Sequence, residues 1–216
     1  MSAVVDYYFS PQSPWTYLGH ERFAEIARDA GAKINVLPVD LGRVFPVSGG
    51  LPLAKRAPQR QAYRLVELKR WSEHLGQPIH LQPRYFPVAS DDAAKLIVAV
   101  DMHDGSDAAM RIAGALLRGV WVDEKNIADP ATLQGLLHTC ALPARRLDDS
   151  QSQAVHERYE EDSQRAIDGG VFGAPTYVVA GELFWGQDRL DFLERRLARG
   201  GAPRPAITSR TWPWRP

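Results

Sequence analysis

Apolar residues fall in two rhythms along this chain. Residues 3–9, Ala-Val-Val-Asp-Tyr-Tyr-Phe, are rich in β-branched and aromatic side chains and predict a strand. Ser13-Pro14 then suits a helix N-cap and first turn. Tyr17, Leu18, Phe23, Ala24, Ile26 and Ala27 follow at helical spacing as far as about residue 30, where Gly31 ends the element. Residues 33–39 predict a second strand. Two strands joined through a helix are expected to lie parallel.

The rhythm then becomes purely helical. The spacing predicts helices over residues 58–75, 91–103, 106–121 and 130–139, with no strand between about residues 47 and 140. In the first of these, Ala62, Leu65, Val66 and Leu75 share much of one face, and Gly76-Gln77-Pro78 stops it. Asp129-Pro130 supplies a cap and first position for the last. A charged helix over 150–169 ends at Gly169-Gly170. Residues 176–180 and 182–185 alternate like a hairpin about Ala180-Gly181. Residues 187–199 close as an amphipathic helix, with Leu190, Leu193, Arg196 and Leu197 roughly in line. The tail, 200–216, carries four prolines and no acidic residue and is expected to be irregular, with Trp212 and Trp214 available to pack on a surface.

The expected order is therefore β-α-β, a helical block, then α-β-β-α. It describes an α/β protein, a thioredoxin-like fold with a large all-helical insertion. The frame is expected at 1–46 and 141–199, the insertion at 47–140, and the tail at 200–216. No internal repeat is evident, which argues against a helical solenoid.

Charge narrows the function classes. Lys and Arg number 26, as do Asp and Glu, so the formal net charge is zero and there is no basic footprint for a nucleic-acid partner. No apolar run is long enough to span a membrane, and the N-terminus lacks the basic-then-apolar pattern of a secretory signal. A single cysteine, Cys140, cannot form an internal disulfide. Together these point to the cytoplasm. None of the six histidines has a metal-ligand spacing. His138-Thr139-Cys140 comes nearest and reads as residues on a helix, so no metal is expected. P-loop, G-x-G-x-x-G, G-x-S-x-G and H-E-x-x-H motifs are all missing.

Two separated motifs carry a resemblance. One is the corner Phe9-Ser10-Pro11-Gln12-Ser13-Pro14-Trp15-Thr16-Tyr17-Leu18. The other is Gly170-Val171-Phe172-Gly173-Ala174-Pro175-Thr176, followed by Leu183-Phe184-Trp185-Gly186-Gln187-Asp188-Arg189-Leu190. Over nearly residues 4–198 the chain resembles the 2-hydroxychromene-2-carboxylate isomerases. These are similar to kappa-class glutathione transferases and, more distantly, to DsbA-type oxidoreductases. The resemblance implies a homodimer that uses glutathione to interconvert a 2-hydroxychromene carboxylate and its ring-opened benzylidenepyruvate, in the breakdown of naphthalene-like aromatics. It implies Ser13 beside the glutathione sulfur and Pro175 as a cis-proline across the site. Ala174 would pair its backbone with the tripeptide, and Gln187 and Asp188 would hold the γ-glutamyl end. Arg60 falls where kappa-like sequences often carry a lysine in contact with glutathione. The chain departs from the family at Gly50, where Asn is common, and at Ala89-Ser90, where an Asn-Thr-like pair is common.

The residues have physical readings of their own. A free thiol is mostly protonated at neutral pH, and a helix N-terminus with a hydroxyl donor favours the thiolate. Ser13 is thus either a plain cap or a cap that also stabilises a bound sulfur anion. Ala174-Pro175 reads either as an ordinary turn or as backbone open to strand-like pairing with an extended peptide. Asp188 either favours a helix dipole or receives an ammonium. Arg43 and Arg60 are candidates for a substrate carboxylate, which a guanidinium can fork onto, and Trp15 offers an aromatic wall. A kappa-like transferase that leaves the thiol on another electrophile, and a non-catalytic glutathione or peptide module, are the alternatives. Disulfide exchange needs an attacking thiolate, which Ser13 and Thr16 do not supply.

Overall fold

The computed structural model of the chain describes residues 2–199. The expected irregular tail and its Trp212 and Trp214 lie outside the described residues. The frame opens with strand β1 (Val4–Phe9), helix α1 (Pro14–Asp29) and strand β2 (Lys33–Pro38). Between β2 and the next strand come α2 (Leu41–Ser48), a 3-10 turn (Leu53–Lys55), α3 (Pro58–Leu75), α4 (Asp91–Asp104), α5 (Ser106–Trp121), α6 (Pro130–Thr139), α7 (Arg146–Asp149) and α8 (Gln153–Asp168). The chain then returns to the sheet as β3 (Thr176–Val179) and β4 (Glu182–Trp185). A 3-10 turn (Gln187–Arg189) and α9 (Leu190–Ala198) complete it.

Among the described residues the strands make one sheet in the order β2-β1-β3-β4. β1 runs parallel to β2, with Val4 opposite Lys33 and Phe9 opposite Pro38. β3 is antiparallel to β1 and to β4. The β3–β4 turn falls at Ala180-Gly181, both at positive φ, the backbone of a two-residue hairpin loop. This is the mixed sheet and helical insertion of a thioredoxin-like fold.

Period-2 alternation in β1 buries Val5, Tyr7 and Phe9 on one face of the sheet. Tyr7 stacks parallel to Tyr177 of β3 at 5.3 Å between ring centroids, and Phe23 of α1 tilts against both at 4.6 Å. One polar chain crosses this core. The Met110 carbonyl can only accept, so His20 Nε2 carries the proton and donates to it at 2.9 Å. His20 Nδ1 then accepts from the Tyr7 hydroxyl at 3.1 Å. Burial lowers the His20 pKa, which keeps the ring neutral and the tautomer fixed. The chain links β1 and α1 to α5, fastening the frame to the helical block.

The helices differ from the pattern reading in three places. α2, with Pro46 inside it, was not expected. It forms nonetheless, as an eight-residue helix whose N-cap Asp40 accepts from Gly42 N at 2.7 Å. The charged helix begins at Gln153 rather than 150, since α7 takes up the preceding turn. The expected apolar face of α3 is not a buried one. Ala62 and Val66 are exposed, and Leu68 is the helix's single fully buried residue. α3 rests on α1 along one edge, aided by the Tyr17 hydroxyl donating to the Pro78 carbonyl at 2.7 Å. Among the described residues no helix is long and apolar enough to cross a membrane.

Candidate functional site

A cleft of about 800 Å³ separates the frame from the helical block. Its frame wall is the corner after β1. Ser13 caps α1 with extended backbone, and its Oγ accepts from Thr16 N at 3.2 Å. Pro14 at the first helical position has no N–H to leave unpaired. Because Oγ is used as an acceptor, the hydroxyl proton is free to turn toward a group in the cleft. Ser13 is 9% exposed, enough to touch a ligand and little enough to limit competition from water. Thr16, a turn on, is fully buried, and its hydroxyl oxygen has no partner among the described residues.

Across from the corner, the Ala174–Pro175 peptide bond is cis. Ala174 lines the cleft, and Pro175 is buried behind it. The segment is tied down on both sides. Thr176 Oγ1 donates to Gly173 O at 2.7 Å, and Gly186 N donates to Pro175 O at 2.9 Å. Gly173 is required for packing, since a Cβ there would meet Trp185 Nε1 at 2.5 Å. Trp185 therefore lies against bare backbone, and Phe172 meets it edge to face at 4.8 Å. Both rings border the cleft.

The opposite wall is cationic. Arg56, Arg60 and Arg64 all line it. Four-residue spacing sets Arg60 and Arg64 one above the other along α3, and Arg56 lies in the extended chain leading into it. The two acids of the lining are engaged elsewhere. Asp40 caps α2, and Asp91 accepts from the Tyr159 hydroxyl at 3.2 Å. Burial foremost, then the Asp91 charge, pushes the Tyr159 pKa far above the usual phenol range, so this hydroxyl stays a donor. Among the described residues no sulfur lines the cleft. Cys140 is not in the lining, its thiol pKa is raised by burial, and Sγ points at the Arg111 carbonyl. Among the described residues no group of three His, Cys, Asp or Glu side chains could hold a metal ion.

The structure thus brings Ser13, Trp15, Ala174 and Arg60 around one space and leaves four of the expected residues outside its lining: Pro175, buried behind Ala174, and Arg43, Gln187 and Asp188. Arg43 turns away, its guanidinium reaching Glu160 O and Gln164 Oε1 on α8, each at 3.4 Å. In this position it does not line the cleft where a substrate was expected to meet it. Its place at the third position of α2 sends it to the helix packed behind rather than into the cleft. Gln187 is 2% exposed and wedged beneath α1, where Gly19 leaves it room, and neither amide atom has a partner among the described residues. Asp188 pairs with Arg189 at 2.7 Å and borders a second, smaller hollow with Arg22, Trp71 and His74.

Other lining residues escaped the sequence reading. Gln12 bridges two walls, donating to Ser90 Oγ at 3.1 Å and accepting from Val88 N at 3.1 Å, while its carbonyl accepts from Trp121 Nε1 at 3.2 Å. Phe86 precedes a second cis bond, to Pro87, at the cleft edge. Gly50 has a packing cause. The Phe45 ring lies where any side chain at 50 would begin, so Phe45 and Gly50 form one unit.

Comparison with known proteins agrees with this geometry. The family model described as a DsbA-like thioredoxin domain matches residues 4–198. A 2-hydroxychromene-2-carboxylate isomerase of Pseudomonas sp. (strain C18) is 32% identical over 93% of this chain and 92% of its own length. Glutathione S-transferase kappa 1 of Caenorhabditis elegans is 23% identical, with 88% of each chain covered. Among solved structures, a 2-hydroxychromene-2-carboxylate isomerase superposes with a TM-score of 0.75 at 28% identity, covering 91% of this chain and 95% of that one. The chain belongs to the DsbA-like thioredoxin-domain proteins and, within them, to the 2-hydroxychromene-2-carboxylate isomerase family, and is an isomerase.

Proposed function

We propose that the protein is a glutathione-dependent cis–trans isomerase that interconverts 2-hydroxychromene-2-carboxylate and trans-o-hydroxybenzylidenepyruvate. The observation that carries this reading is Ser13. It caps a 16-residue helix, keeps its hydroxyl proton uncommitted, and faces a cleft with no protein sulfur. A thiolate placed there would gain a hydrogen bond and the positive end of the helix. The kappa-type relative supports glutathione as its source. Bound glutathione would supply a nucleophilic sulfur whose reversible addition to the conjugated double bond permits rotation about it.

The chain's residues provide binding, orientation and electrostatics. Ser13 donates to the sulfur anion and, with its own proton retained, does not compete as a nucleophile. Ala174 presents backbone to an extended tripeptide beside Pro175. Arg60, an exposed cation on the opposite wall, takes a glutathione carboxylate. Asp188, two residues beyond Glu182–Trp185 and its one-glycine link, receives the γ-glutamyl ammonium. Its exposed carboxylate suits that role better than the buried Gln187 amide. Trp15 offers a wall for the aromatic ring.

Turnover of the benzylidenepyruvate with and without glutathione tests the reading. Glutathione should be required and recovered unchanged. Ser13→Ala should lower kcat/KM by about 10- to 1,000-fold, the range for losing one donor to a developing or bound anion. Equal rates without glutathione would sink the proposal, and product carrying the tripeptide mass would make the enzyme a transferase instead.

A further inference from the structure

Arg64 is the least explained charge in the molecule. It sits one turn beyond Arg60 on α3 and lines the same cleft. Its guanidinium carbon lies 5.1 Å from the centre of the Phe86 ring and 5.7 Å from that of Trp121. Phe86 borders the cleft, and Trp121 is fully buried behind it. The planar group is thus held against two aromatic faces, a geometry suited to guanidinium. What it lacks is an anion. Among the described residues Arg64 forms no salt bridge, and Nη2 is covered without a hydrogen-bond partner. Burial and the nearby Arg56 lower its pKa to about 10, still high enough to keep it charged at neutral pH.

A half-buried cation with an orphaned donor is costly unless something completes it. Among the described residues nothing completes it. Asp40 and Asp91 are committed to a helix cap and to Tyr159. Arg56 donates its Nε to Leu51 O at 2.8 Å, and Arg60 is the more exposed of the three. Only Arg64 is pre-oriented by stacking, so only Arg64 presents a guanidinium of fixed orientation to an anion in the cleft.

We propose that Arg64 is the specificity residue that anchors the carboxylate of the aromatic second substrate in this cleft. The inference rests on the proposed reading that such a substrate enters here. It moves the carboxylate role from Arg43, which faces α8, and leaves Arg60 to glutathione.

Two flat, unreactive probes separate this idea from the glutathione reading: chromone-2-carboxylate and its neutral isostere, chromone-2-carboxamide. Both would be titrated calorimetrically into the wild-type protein and into Arg64→Met, Arg64→Lys and Arg60→Gln, with folding checked by circular dichroism. The wild type should prefer the acid by about 10- to 100-fold, the value of one desolvated charge-assisted pair. Arg64→Met should lose that preference while binding the amide within about threefold of the wild type, and Arg64→Lys should restore part of it. Arg60→Gln should keep it. If Arg64→Met weakens acid and amide alike, the residue is only structural and the proposal falls. It also falls if Arg64→Met keeps the preference, or if the wild type shows none, whether or not turnover requires glutathione.

Discussion

The two walls of the cleft are built on different principles. The Ser13 wall stands on the frame. Beneath it Tyr7, Phe9, Phe23 and Tyr177 are fully buried, with the Tyr7 ring against each of the other three and Phe23 against Tyr177, and His20 locks the stack to α5. The arginine wall stands on little. α2 contributes one buried residue, Val44, the 3-10 turn none, and α3 only Leu68. Under the proposed reading, chemistry that must recur with the same geometry would sit on the rigid side, and recognition of whatever enters on the lightly packed side. The difference also separates what can change cheaply. A substitution in the frame disturbs the Ser13 corner, whereas α3 can exchange side chains with little cost to the fold.

The sharpest way to break that contrast is to truncate one ring on each side. Phe9 is fully buried at the end of β1, 4.5 Å from the Tyr7 ring. Phe9→Ala should cost about 3–5 kcal/mol, from lost transfer energy plus the cavity left behind. Tyr63 on α3 is 59% exposed, and Tyr63→Ala should change stability by no more than about 0.5 kcal/mol. Urea midpoints at unchanged m-value measure both. Similar losses would show that α3 is as integral to the core as the frame is.

A second test concerns what holds the arginine wall in place from behind. α8 packs against α2 and α4, and its Arg158 donates to both oxygens of Asp162, at 2.9 and 3.0 Å, while lying 3.7 Å from Asp101. Burial outweighs these contacts and pushes the Asp162 carboxyl up to about 6. An unfolded aspartate titrates near 3.9, so between about pH 4 and 6 the folded chain holds a proton that the unfolded chain has released. Stability from this group is therefore fully present below that window and is lost as pH rises through it, by on the order of 1–3 kcal/mol. Asp162→Asn removes the titration. The stability of wild type minus variant should rise as pH falls from 6.5 to 4. A constant or falling difference would mean that Arg158 keeps the carboxylate ionised and that the seam is an ordinary ion pair.

The same contrast governs what could be read from the sequence. The frame was legible because its residues act locally. Alternation made β1, Ser13-Pro14 made the α1 cap, and Ala180-Gly181 made the hairpin. Ser13, Ala174 and Arg60, placed from the resemblance, and Trp15, offered as an aromatic wall, line the cleft, whereas Pro175, Gln187 and Asp188, placed from the same motifs, do not. The arginine wall was much less legible. A helix with one buried residue leaves no deep apolar stripe, so Ala62 and Val66 were read as a face that the structure leaves exposed. Arg43 and Arg64 look alike in a sequence, each simply an arginine. What separates them is the neighbour across space, the α8 backbone for one and Phe86 with Trp121 for the other. Gln12 was similarly silent, because its partners lie 76 and 78 residues away.

Gln12 is also where the two walls meet, and it offers the finest test of how independent they are. Its side chain belongs to the frame corner, yet both of its hydrogen bonds go to the 88–90 segment that closes the far side of the cleft. Its backbone carbonyl holds Trp121, against which Arg64 stacks. Gln12→Ala removes the two side-chain bonds and spares the carbonyl. Val88 N and Ser90 Oγ are only part-buried, so water can take over and the global cost should be about 1 kcal/mol. The informative readout is local. Amide exchange at Val88 should quicken by about fivefold or more, while amides of β1 and α1 keep their protection, because the corner is secured by its own cap and by the ring stack below. If β1 and α1 loosen together with Val88, the catalytic corner depends on the recognition wall, and the separation between a rigid chemical side and an adaptable binding side does not hold.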